Sequence, residues 1–409
     1  MRRLLWVGDA GCPSGFAKAT HSILEVLRHQ FDVTVLGINY RGDPHGYPYP
    51  IYAAAPGGDA MGVGRLVWMC DLVKPDVIII QNDSWNLQAY VQQLRLFKEY
   101  EGVPIVAIVA VDGNNFQRTW LDGLAHVIFW TQFALDEARA SGFNGLATVI
   151  PLGVDTSVFA PMPKVEAREL RGIGKANNAF IVGNVNRNQP RKRWDLTIKY
   201  FADWALSNTI LDAYLFLHVA PTGDMGIQIQ QLAAYYGVLE RLILVQPPTF
   251  YGVPDEMLAA TYNCFDVLVS TTQGEGFGLT ALEAMACGIP CVLPKWSALG
   301  DWARPAAWMV SCSTTTIGPP YVNVIGGVPD QTSFINALDT LYNDKHTRAE
   351  YAERGLALAR EARFSWDHIG QRYAWVLAQL LAACSSPSGA WLGEALASQE
   401  KPSLQAANG

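Results

Sequence analysis

The most informative segment for chemistry is STTQGEGFGLTALEAMACGIPCVLP, residues 270–294. A predicted strand ends here in a loop with glycine at alternate positions, and a predicted short helix follows. Glycine lets the backbone approach a ligand closely, and a helix N-terminus offers free N–H groups to an anion. Glu275 lies within the loop and Glu283 within the helix. The segment therefore predicts a carboxylate and a phosphate-binding backbone side by side, although a solvated Glu275 and a helix-capping Glu283 paired with Thr280 are alternatives.

A second chemical signal is the run of cations in IVGNVNRNQPRKRWDLTI, residues 181–198, which follows another predicted strand. The cations are Arg187, Arg191, Lys192 and Arg193. Like charges this close are costly unless they bind an anion, and a diphosphate is one suitable partner. A solvated basic surface and contact with nucleic-acid phosphates are the alternatives.

Several common motifs do not occur. The first strand is followed by GDAGCPSG, whose glycines at positions 8, 11 and 15 fit neither GxGxxG nor the phosphate loop GxxxxGK[ST]. This loop is either an anion site at a helix start or only a tight turn. Neither Asp-x-Asp nor GxSxG occurs in the chain. The sequence thus gives no support for a dinucleotide fingerprint, and we expect no metal and no bound cofactor.

Composition excludes several protein classes. The chain has 409 residues, 50% of them hydrophobic and 16% charged, with a formal net charge of -7. Wholesale disorder is therefore excluded, and bulk charge does not favour nucleic-acid binding, which stays possible but not preferred. Seven scattered cysteines without a CxxC pair predict reduced thiols. No apolar run is long enough for a signal peptide or a membrane helix, so we expect a soluble, cytoplasmic protein without an integral membrane segment.

The elements that must position these residues form an α/β fold. Apolar runs alternate with helical patterns, which predicts parallel sheets covered on both faces. The predicted strands are residues 4–8, 33–38, 76–80, 105–111, 127–130 and 147–150 in the first half, and 180–185, 214–219, 242–245, 267–270 and 290–293 in the second. A proline-containing stretch around 155–178 is the predicted linker. Ligands of such sheets bind beyond the carboxyl ends of the strands.

Together these motifs resemble the retaining glycosyltransferases of family 4, which include phosphatidylinositol mannosyltransferases and sucrose synthases. Glu275-GFGLTAL-Glu283 is similar to the family's paired-glutamate motif, and RNQPRK to its diphosphate-binding segment. The resemblance implies a GT-B fold with two Rossmann-like domains facing across a cleft. The N-terminal acceptor domain would span residues 1–160 and the donor domain 178–362. A helix of about 365–384 would pack back on the first domain, and 385–409 would be a mobile tail.

The resemblance also implies roles for individual residues. Arg187 and Lys192 would hold the diphosphate of a nucleotide-sugar donor such as a UDP- or GDP-sugar. Glu275 would contact the donor sugar, and Glu283 the ribose hydroxyls. Donor-binding backbone would come from Gly15, Gly276, Phe277, Gly278 and Leu279. No metal would be required, because the two cations replace it.

One position departs from the family pattern. Many members carry a histidine at the end of the strand IVAIVA, where this chain has Val111-Asp112. Asp112 would contact the sugar or the acceptor, or cap a helix. The remaining candidates for the acceptor side are Asp9, Asn82, Asp83 and Trp85, and Asn114 and His126 are further cleft candidates, with a packed or surface role as the alternative for His126. Either an acceptor wall or a packing cluster would be formed by Trp85, Asn86, Phe116, Arg118 and Trp120.

The sequence leaves the acceptor open. A saccharide, a lipid, a small metabolite and a hydroxylated DNA base are all compatible with a hydroxyl acceptor. Two other functions remain: a sugar-nucleotide binding protein without turnover, and a GT-B-like sugar-nucleotide epimerase or phosphorylase. For a phosphorylase we find no clear lysine to hold a pyridoxal group.

Overall fold

The computed structural model describes residues 1–12, 14–219, 226–246, 252–318 and 322–384. The first half of the chain forms a parallel sheet in the order β3-β2-β1-β4-β5-β6-β7. Its strands are β1 (Arg2–Asp9), β2 (Phe31–Ile38), β3 (Ile51–Ala53), β4 (Val77–Asp83), β5 (Ile105–Ala110), β6 (His126–Phe129) and β7 (Ala147–Val149). Its helices are α1 (Gly15–Leu27), α2 (Val63–Val73), α3 (Leu87–Arg95) and α4 (Gln132–Ala140).

The second half forms another parallel sheet, in the order β10-β9-β8-β11-β12-β13. Its strands are β8 (Phe180–Asn186), β9 (Ala213–Val219), β10 (Leu242–Val245), β11 (Val267–Val269), β12 (Cys291–Pro294) and β13 (Trp308–Val310). An antiparallel hairpin follows, made of β14 (Cys312–Ile317) and β15 (Ile325–Pro329). The helices are α5 (Lys164–Leu170), α6 (Trp194–Ser207), α7 (Ile229–Tyr235), α8 (Asp255–Asn263), α9 (Leu279–Ala286), α10 (Ser297–Trp302), α11 (Gln331–Asn343), α12 (Lys345–Ala359) and α13 (Trp366–Cys384).

The predicted α/β class and its parallel sheets are confirmed. The central strands are apolar without alternation because both faces are covered; all six residues of β5 are buried. The 3-residue strands β3 and β13 and the hairpin were not predicted, since very short or polar strands carry little hydrophobic pattern. The described cysteines are free. In the described part of the chain, no helix has the length and apolar character needed to cross a membrane.

The segment predicted as a linker is partly helical. It contains α5, whose Arg168 is buried and donates hydrogen bonds to the Cys264 carbonyl oxygen and to Asp266. This buried arginine fixes the segment to the second half of the chain, and the role of residues 155–178 as a linker between two domains stays a prediction. The prolines of this stretch precede the helix rather than interrupt it.

The last described helix, α13, packs against α1. A Cβ placed on Gly370 would lie 2.4 Å from the Cβ of Val26, so the two helices approach as closely as glycine permits. Arg372 also donates a hydrogen bond to the Val149 carbonyl oxygen, at 2.9 Å. The division into domains at residues 160 and 178 stays a prediction, and the tail 385–409 lies outside the described residues.

Candidate active site

The two halves meet where a glycine-rich loop of the second sheet faces the end of β5 in the first. The loop connects β11 to α9. A Cβ on Gly274 would lie 1.7 Å from the Asp112 carbonyl oxygen, and one on Gly276 would lie 2.5 Å from the Ala110 Cβ. Larger residues at these positions would push the loop away from β5. These glycines therefore allow a close approach between the halves of the protein, and the donor-binding role expected of Gly276 stays a prediction.

The start of α9 leaves backbone donors unused. The helix begins at Leu279 after Gly278, whose φ of 92° is in the left-handed region that favours glycine. Within the described residues, the N–H groups of Phe277, Gly278 and Leu279 have no hydrogen-bond acceptor. Gly15, at the start of α1, lies opposite, since a Cβ there would be 3.4 Å from Leu279 Cδ1. The starts of α1 and α9 thus lie close together across the junction, and a helix N-terminus favours an anion.

A group of ionic contacts, which we call the charge cluster, lies beside this loop. It consists of Lys192, Arg191, Glu275, Asp112 and Asp83. Lys192 Nζ is 2.5 Å from Glu275 Oε1, and Arg191 Nη1 is 3.2 Å from Glu275 Oε2. Arg191 Nε also lies 3.5 Å from Asp112 Oδ2 in the other half of the protein. The side chains of Lys192 and Glu275 are less than a tenth exposed.

The sheet order explains why these residues meet. The basic segment follows β8 and the glycine loop follows β11, and the two strands are neighbours in the sheet. The segments are joined by the hydrogen bond from Gln273 N to the Arg191 carbonyl oxygen, at 2.8 Å, and by the Thr271 hydroxyl, which donates to the Arg193 carbonyl oxygen at 2.8 Å. Residues 83 positions apart therefore share one site.

Burial and mutual charge set the protonation of the cluster. Burial lowers the pKa of Lys192 to about 8, assisted by the charge of Arg191 and opposed by Glu275. For Glu275, burial favours the neutral acid, but the charges and hydrogen bonds of Lys192 and Arg191 outweigh it and leave its pKa below the ordinary value. Burial raises the pKa of Asp83 to about 6, with the negative charge of Asp112 adding to the effect and Arg191 opposing it. Both cations are thus charged at neutral pH.

Arg191 is a site residue that the sequence interpretation named only as part of the basic run. The interpretation assigned diphosphate binding to Arg187 and Lys192 instead. The described contacts of Arg187 include its carbonyl oxygen, which accepts a hydrogen bond from Trp194 Nε1 at 2.9 Å. Its contact with a diphosphate stays a prediction. The position of Arg191 directly before Lys192 was the available signal, but sequence alone does not tell which side chain of a basic run points into a cleft.

Glu283 does not cap α9, so the capping alternative is wrong. The helix begins at Leu279 without a side-chain cap. Glu283 is buried and accepts a hydrogen bond from the Tyr262 hydroxyl at 2.8 Å, and its other oxygen lies 2.9 Å from Lys18 Nζ. Lys18 belongs to α1 in the first half of the chain and also pairs with Asp255, at 3.1 Å. Lys18 was missed as a partner because it is 265 residues away in sequence.

The candidates on the first sheet have different surroundings. Asp9 accepts hydrogen bonds from the Ser14 hydroxyl at 2.6 Å and from Asn39 Nδ2 at 3.3 Å, which shapes the loop before α1. Asn82 donates to the Tyr90 hydroxyl at 2.9 Å. In the described residues no donor reaches the Asp83 carboxylate, although it lies within the charge cluster. The predicted acceptor contacts of Asp9, Asn82 and Asp83 stay predictions.

Three other candidates have structural partners. His126 is buried on β6 and lies 3.0 Å from the Thr148 hydroxyl oxygen, and burial lowers its pKa to about 4. Asn114 exchanges backbone hydrogen bonds of 3.0 Å with Ile325 of β15 and so joins the two halves. Phe277 stacks on Trp302 with ring centroids 5.0 Å apart, so only its backbone is placed to serve a ligand.

Residues 140–372 match the family described as family 4 glycosyltransferases in conflict systems. The chain belongs to this family. This confirms the resemblance that the paired glutamates and the RNQPRK segment indicated, and it makes the protein a glycosyltransferase of family 4.

Individual curated relatives match over part of their length. The D-inositol 3-phosphate glycosyltransferase of Stackebrandtia nassauensis is 33% identical over 226 residues, which are 54% of this chain and 46% of that protein. The protein of the same name from Geodermatophilus obscurus is 38% identical over 149 residues, 35% of this chain and 32% of that protein. The aligned region thus spans less than half the length of these curated relatives.

Solved structures match over nearly the whole chain. Sucrose-phosphate synthase from Thermosynechococcus elongatus superposes with a TM-score of 0.74 at 18% identity, covering 94% of this chain and 100% of that one. Trehalose 6-phosphate synthase from Burkholderia multivorans gives 0.69 at 15% identity, with 94% and 100% covered. HepE of Anabaena in complex with UDP-glucose gives 0.69 at 19% identity, with 92% and 100% covered. These likenesses confirm the predicted GT-B fold.

Proposed function

We propose that the protein transfers a sugar, with retention of configuration, from a nucleotide-diphospho sugar to a hydroxyl acceptor. The observation that carries the proposal is the charge cluster beside the free N–H groups at the start of α9. Lys192 and Arg191 supply positive charge within 3.2 Å of Glu275, and the N-terminus of α1 closes the same place from the other half. The structure of HepE with UDP-glucose, which shares this fold, supports the donor class.

The arrangement matches the electrostatic needs of the reaction. As the bond between the anomeric carbon and the diphosphate oxygen breaks, negative charge develops on the diphosphate, and preorganised donors for that charge supply the largest part of such catalysis. Lys192, Arg187 and the N–H groups of Phe277, Gly278 and Leu279 would bind the diphosphate. Glu275, already held by two cations, would accept hydrogen bonds from the donor sugar. Neutralisation by these groups removes the need for a metal ion.

The anomeric configuration is retained if the acceptor attacks the anomeric carbon from the same face from which the diphosphate leaves. The acceptor oxygen bonds to the anomeric carbon as the diphosphate departs, and the acceptor proton passes to the departing diphosphate oxygen. Asp112 lies where many relatives carry a histidine, and its pairing with Arg191 keeps the carboxylate at the cleft. Closure of the two halves around the donor limits its hydrolysis.

The proposal is tested by a thermal-shift screen with UDP-, GDP- and TDP-sugars, followed by measurement of donor hydrolysis without acceptor. We expect stabilisation by one nucleotide series and slow release of the nucleoside diphosphate. The Arg187→Ala/Lys192→Ala variant should lose more than about a hundredfold of this turnover. Lys199→Ala is the matched control, because Lys199 pairs with Asp203 on the surface of α6.

Each other outcome has a distinct meaning. Donor binding without any release of diphosphate would instead support a sugar-nucleotide binding protein, and release of an epimerised donor would support an epimerase. Near-normal turnover of the double variant would reject the diphosphate assignment. Complete loss of activity in EDTA, with recovery in Mg²⁺, would contradict the metal-free reaction.

A further inference from the structure

A cavity lies at the junction of the two halves, on the loops that follow β4 and β5. It has a volume of ≈ 370 Å³, near the lower end of the size of small-molecule sites. We call it the tryptophan pocket. The residues that line it are Trp85, Asn115, Gln117, Trp120, Val322 and Asn323. The pocket is thus formed by two loops of the first sheet and by residues 322 and 323, just before β15, in the second half.

The connectivity places the pocket next to the reacting groups. Trp85 lies two residues after Asp83, at the end of β4, and Asn115 lies three residues after Asp112, beyond the end of β5. The two strands are neighbours, with Asp83 paired to Ala110. Asp83 and Asp112 therefore start the same two loops that form the pocket, and both interact with Arg191 of the charge cluster.

The hairpin completes the pocket from the other half. Asn115 Nδ2 donates to the Asn323 carbonyl oxygen at 2.9 Å, and Gln117 Nε2 donates to the Asn115 carbonyl oxygen at 3.1 Å. Asn115 and Asn323 have φ values of 69° and 58°, a left-handed conformation that asparagine tolerates better than most residues. The pocket therefore contains residues from both halves of the protein.

The residues that line the tryptophan pocket indicate the charge of its ligand. The lining residues are two tryptophans, three amide side chains and one valine, and none of these described residues is charged. The nearby Arg118 lies 3.7 Å from Asp122, with both side chains more than half exposed. A phosphate group requires cations or a cluster of N–H donors, and Asp83 and Asp112, which begin the two loops that form the pocket, would repel it.

The lining also indicates the shape of the ligand. The rings of Trp85 and Trp120 meet edge to face, with centroids 6.2 Å apart. Across the described residues, neither indole N–H has a hydrogen-bond acceptor. Aromatic faces bind the apolar face of a ring, and amides and indole N–H groups bind its hydroxyls. This combination suits an uncharged ring that carries hydroxyl groups.

We propose that the tryptophan pocket binds an uncharged saccharide acceptor and that Asp83 orients its reacting hydroxyl toward the donor. This inference rests on the proposed function. The Asp83 carboxylate accepts a hydrogen bond from that hydroxyl, whose oxygen bonds to the anomeric carbon while its proton goes to the departing diphosphate. The protein would then differ in acceptor charge from relatives named for an inositol phosphate.

The test compares matched neutral and phosphorylated acceptors with the full chain and the donor found by the screen. The probes are methyl glycosides of glucose, galactose, mannose and N-acetylglucosamine with the corresponding 6-phosphates, and myo-inositol with inositol 3-phosphate. The measured quantity is the ratio of transfer to donor hydrolysis. We expect at least one neutral saccharide to give a ratio at least tenfold above that of its phosphorylated partner.

Substitutions in the tryptophan pocket test whether this pocket determines the preference for neutral over phosphorylated acceptors. Trp85→Ala should lower the ratio at least tenfold and Trp85→Phe by less, because phenylalanine keeps part of the ring face. Gln117→Lys should shift the preference toward the phosphorylated partner. Trp68→Ala is the matched control, since Trp68 is a half-exposed tryptophan on α2, packed against Arg65 outside the tryptophan pocket.

Different results would contradict the inference and the proposed function. Donor hydrolysis with no transfer to any neutral saccharide, preference for the phosphorylated partners, or transfer to nucleosides instead would each overturn the inference and leave the proposed function standing. An unchanged ratio in both Trp85 variants would also overturn it. Absence of donor binding and hydrolysis would overturn the proposed function itself.

Discussion

Replacement of Lys192 by methionine tests the charge cluster most directly. The Lys192 ammonium lies 2.5 Å from Glu275 Oε1, and both side chains are less than a tenth exposed. Removal of one partner from a buried pair costs about 3–5 kcal/mol, because the other charge is left without compensation. Arg191 stays 3.2 Å from the same carboxylate, and burial and the charge of Arg191 already oppose the charged ammonium. We therefore expect no more than the lower end of this range, about 3 kcal/mol.

This destabilisation has a measurable size. A change of 1 kcal/mol shifts the melting temperature of a domain of 150–250 residues by roughly 2–4 °C, so Lys192→Met should melt roughly 6–12 °C below the wild type. Lys192→Met/Glu275→Gln removes both charges and should recover most of that loss. This recovery distinguishes loss of the Lys192–Glu275 interaction from general damage to the fold. Only a direct interaction makes two substitutions together less destabilising than the sum of their separate effects.

Activity should behave differently from stability. Loss of one preorganised donor to a developing charge costs about 10²–10³ in turnover, so donor hydrolysis should fall by that factor in Lys192→Met and stay low in the double variant. Melting curves and hydrolysis rates of the two variants are measured together. If stability recovers in the double variant and hydrolysis is near normal in Lys192→Met, Lys192 only balances Glu275 and the diphosphate role is refuted.

The pH dependence gives an independent check on Lys192. Its pKa in the folded protein is about 8, below the ordinary lysine value of 10.5. Between these values the unfolded chain binds more protons, so the free energy of unfolding should rise with pH in that window. Lys192→Met should lose this contribution. Because a diphosphate favours the charged ammonium, UDP binding above about pH 8 should take up a proton, which calorimetry in two buffers of different ionisation enthalpy detects.

Two further predictions concern the cleft. Asp83→Asn should melt above the wild type at pH 7.5 and at the same temperature at pH 4, because the pKa of Asp83 is raised to about 6 and stability is lost as pH rises through that value. The same variant should lower transfer. If the variant and the wild type were equally stable at both pH values, the burial of this carboxylate would be contradicted. Lys18→Met should tighten nucleotide binding about fivefold, equivalent to about 1 kcal/mol. In the wild type, Glu283 would have to break its 2.9 Å ion pair with Lys18 before it binds the ribose, and the variant has no such pair to break. Weaker binding in calorimetry would show instead that Lys18 contacts the nucleotide.

Much of the fold was predictable from local pattern. Strands buried on both faces appear as short apolar runs, so most strands of the two sheets were placed within a few residues of their ends. The glycine loop and the start of α9 were also predictable, because turn residues and helix starts have local signatures. Short strands such as β3 and the polar strand β14 lack such signatures and were missed.

The sequence by itself determined the elements, the paired glutamates and the presence of a basic run and of a glycine loop before a helix, because these depend on residue types within a few positions of one another. Only the tertiary structure decided the partners. Arg191 meets Asp112, and Lys18 meets Glu283, across the junction of two sheets. Such pairs are set by strand order and by the approach of the two halves. The local sequence does not indicate which charged residues, distant along the chain, will be buried together.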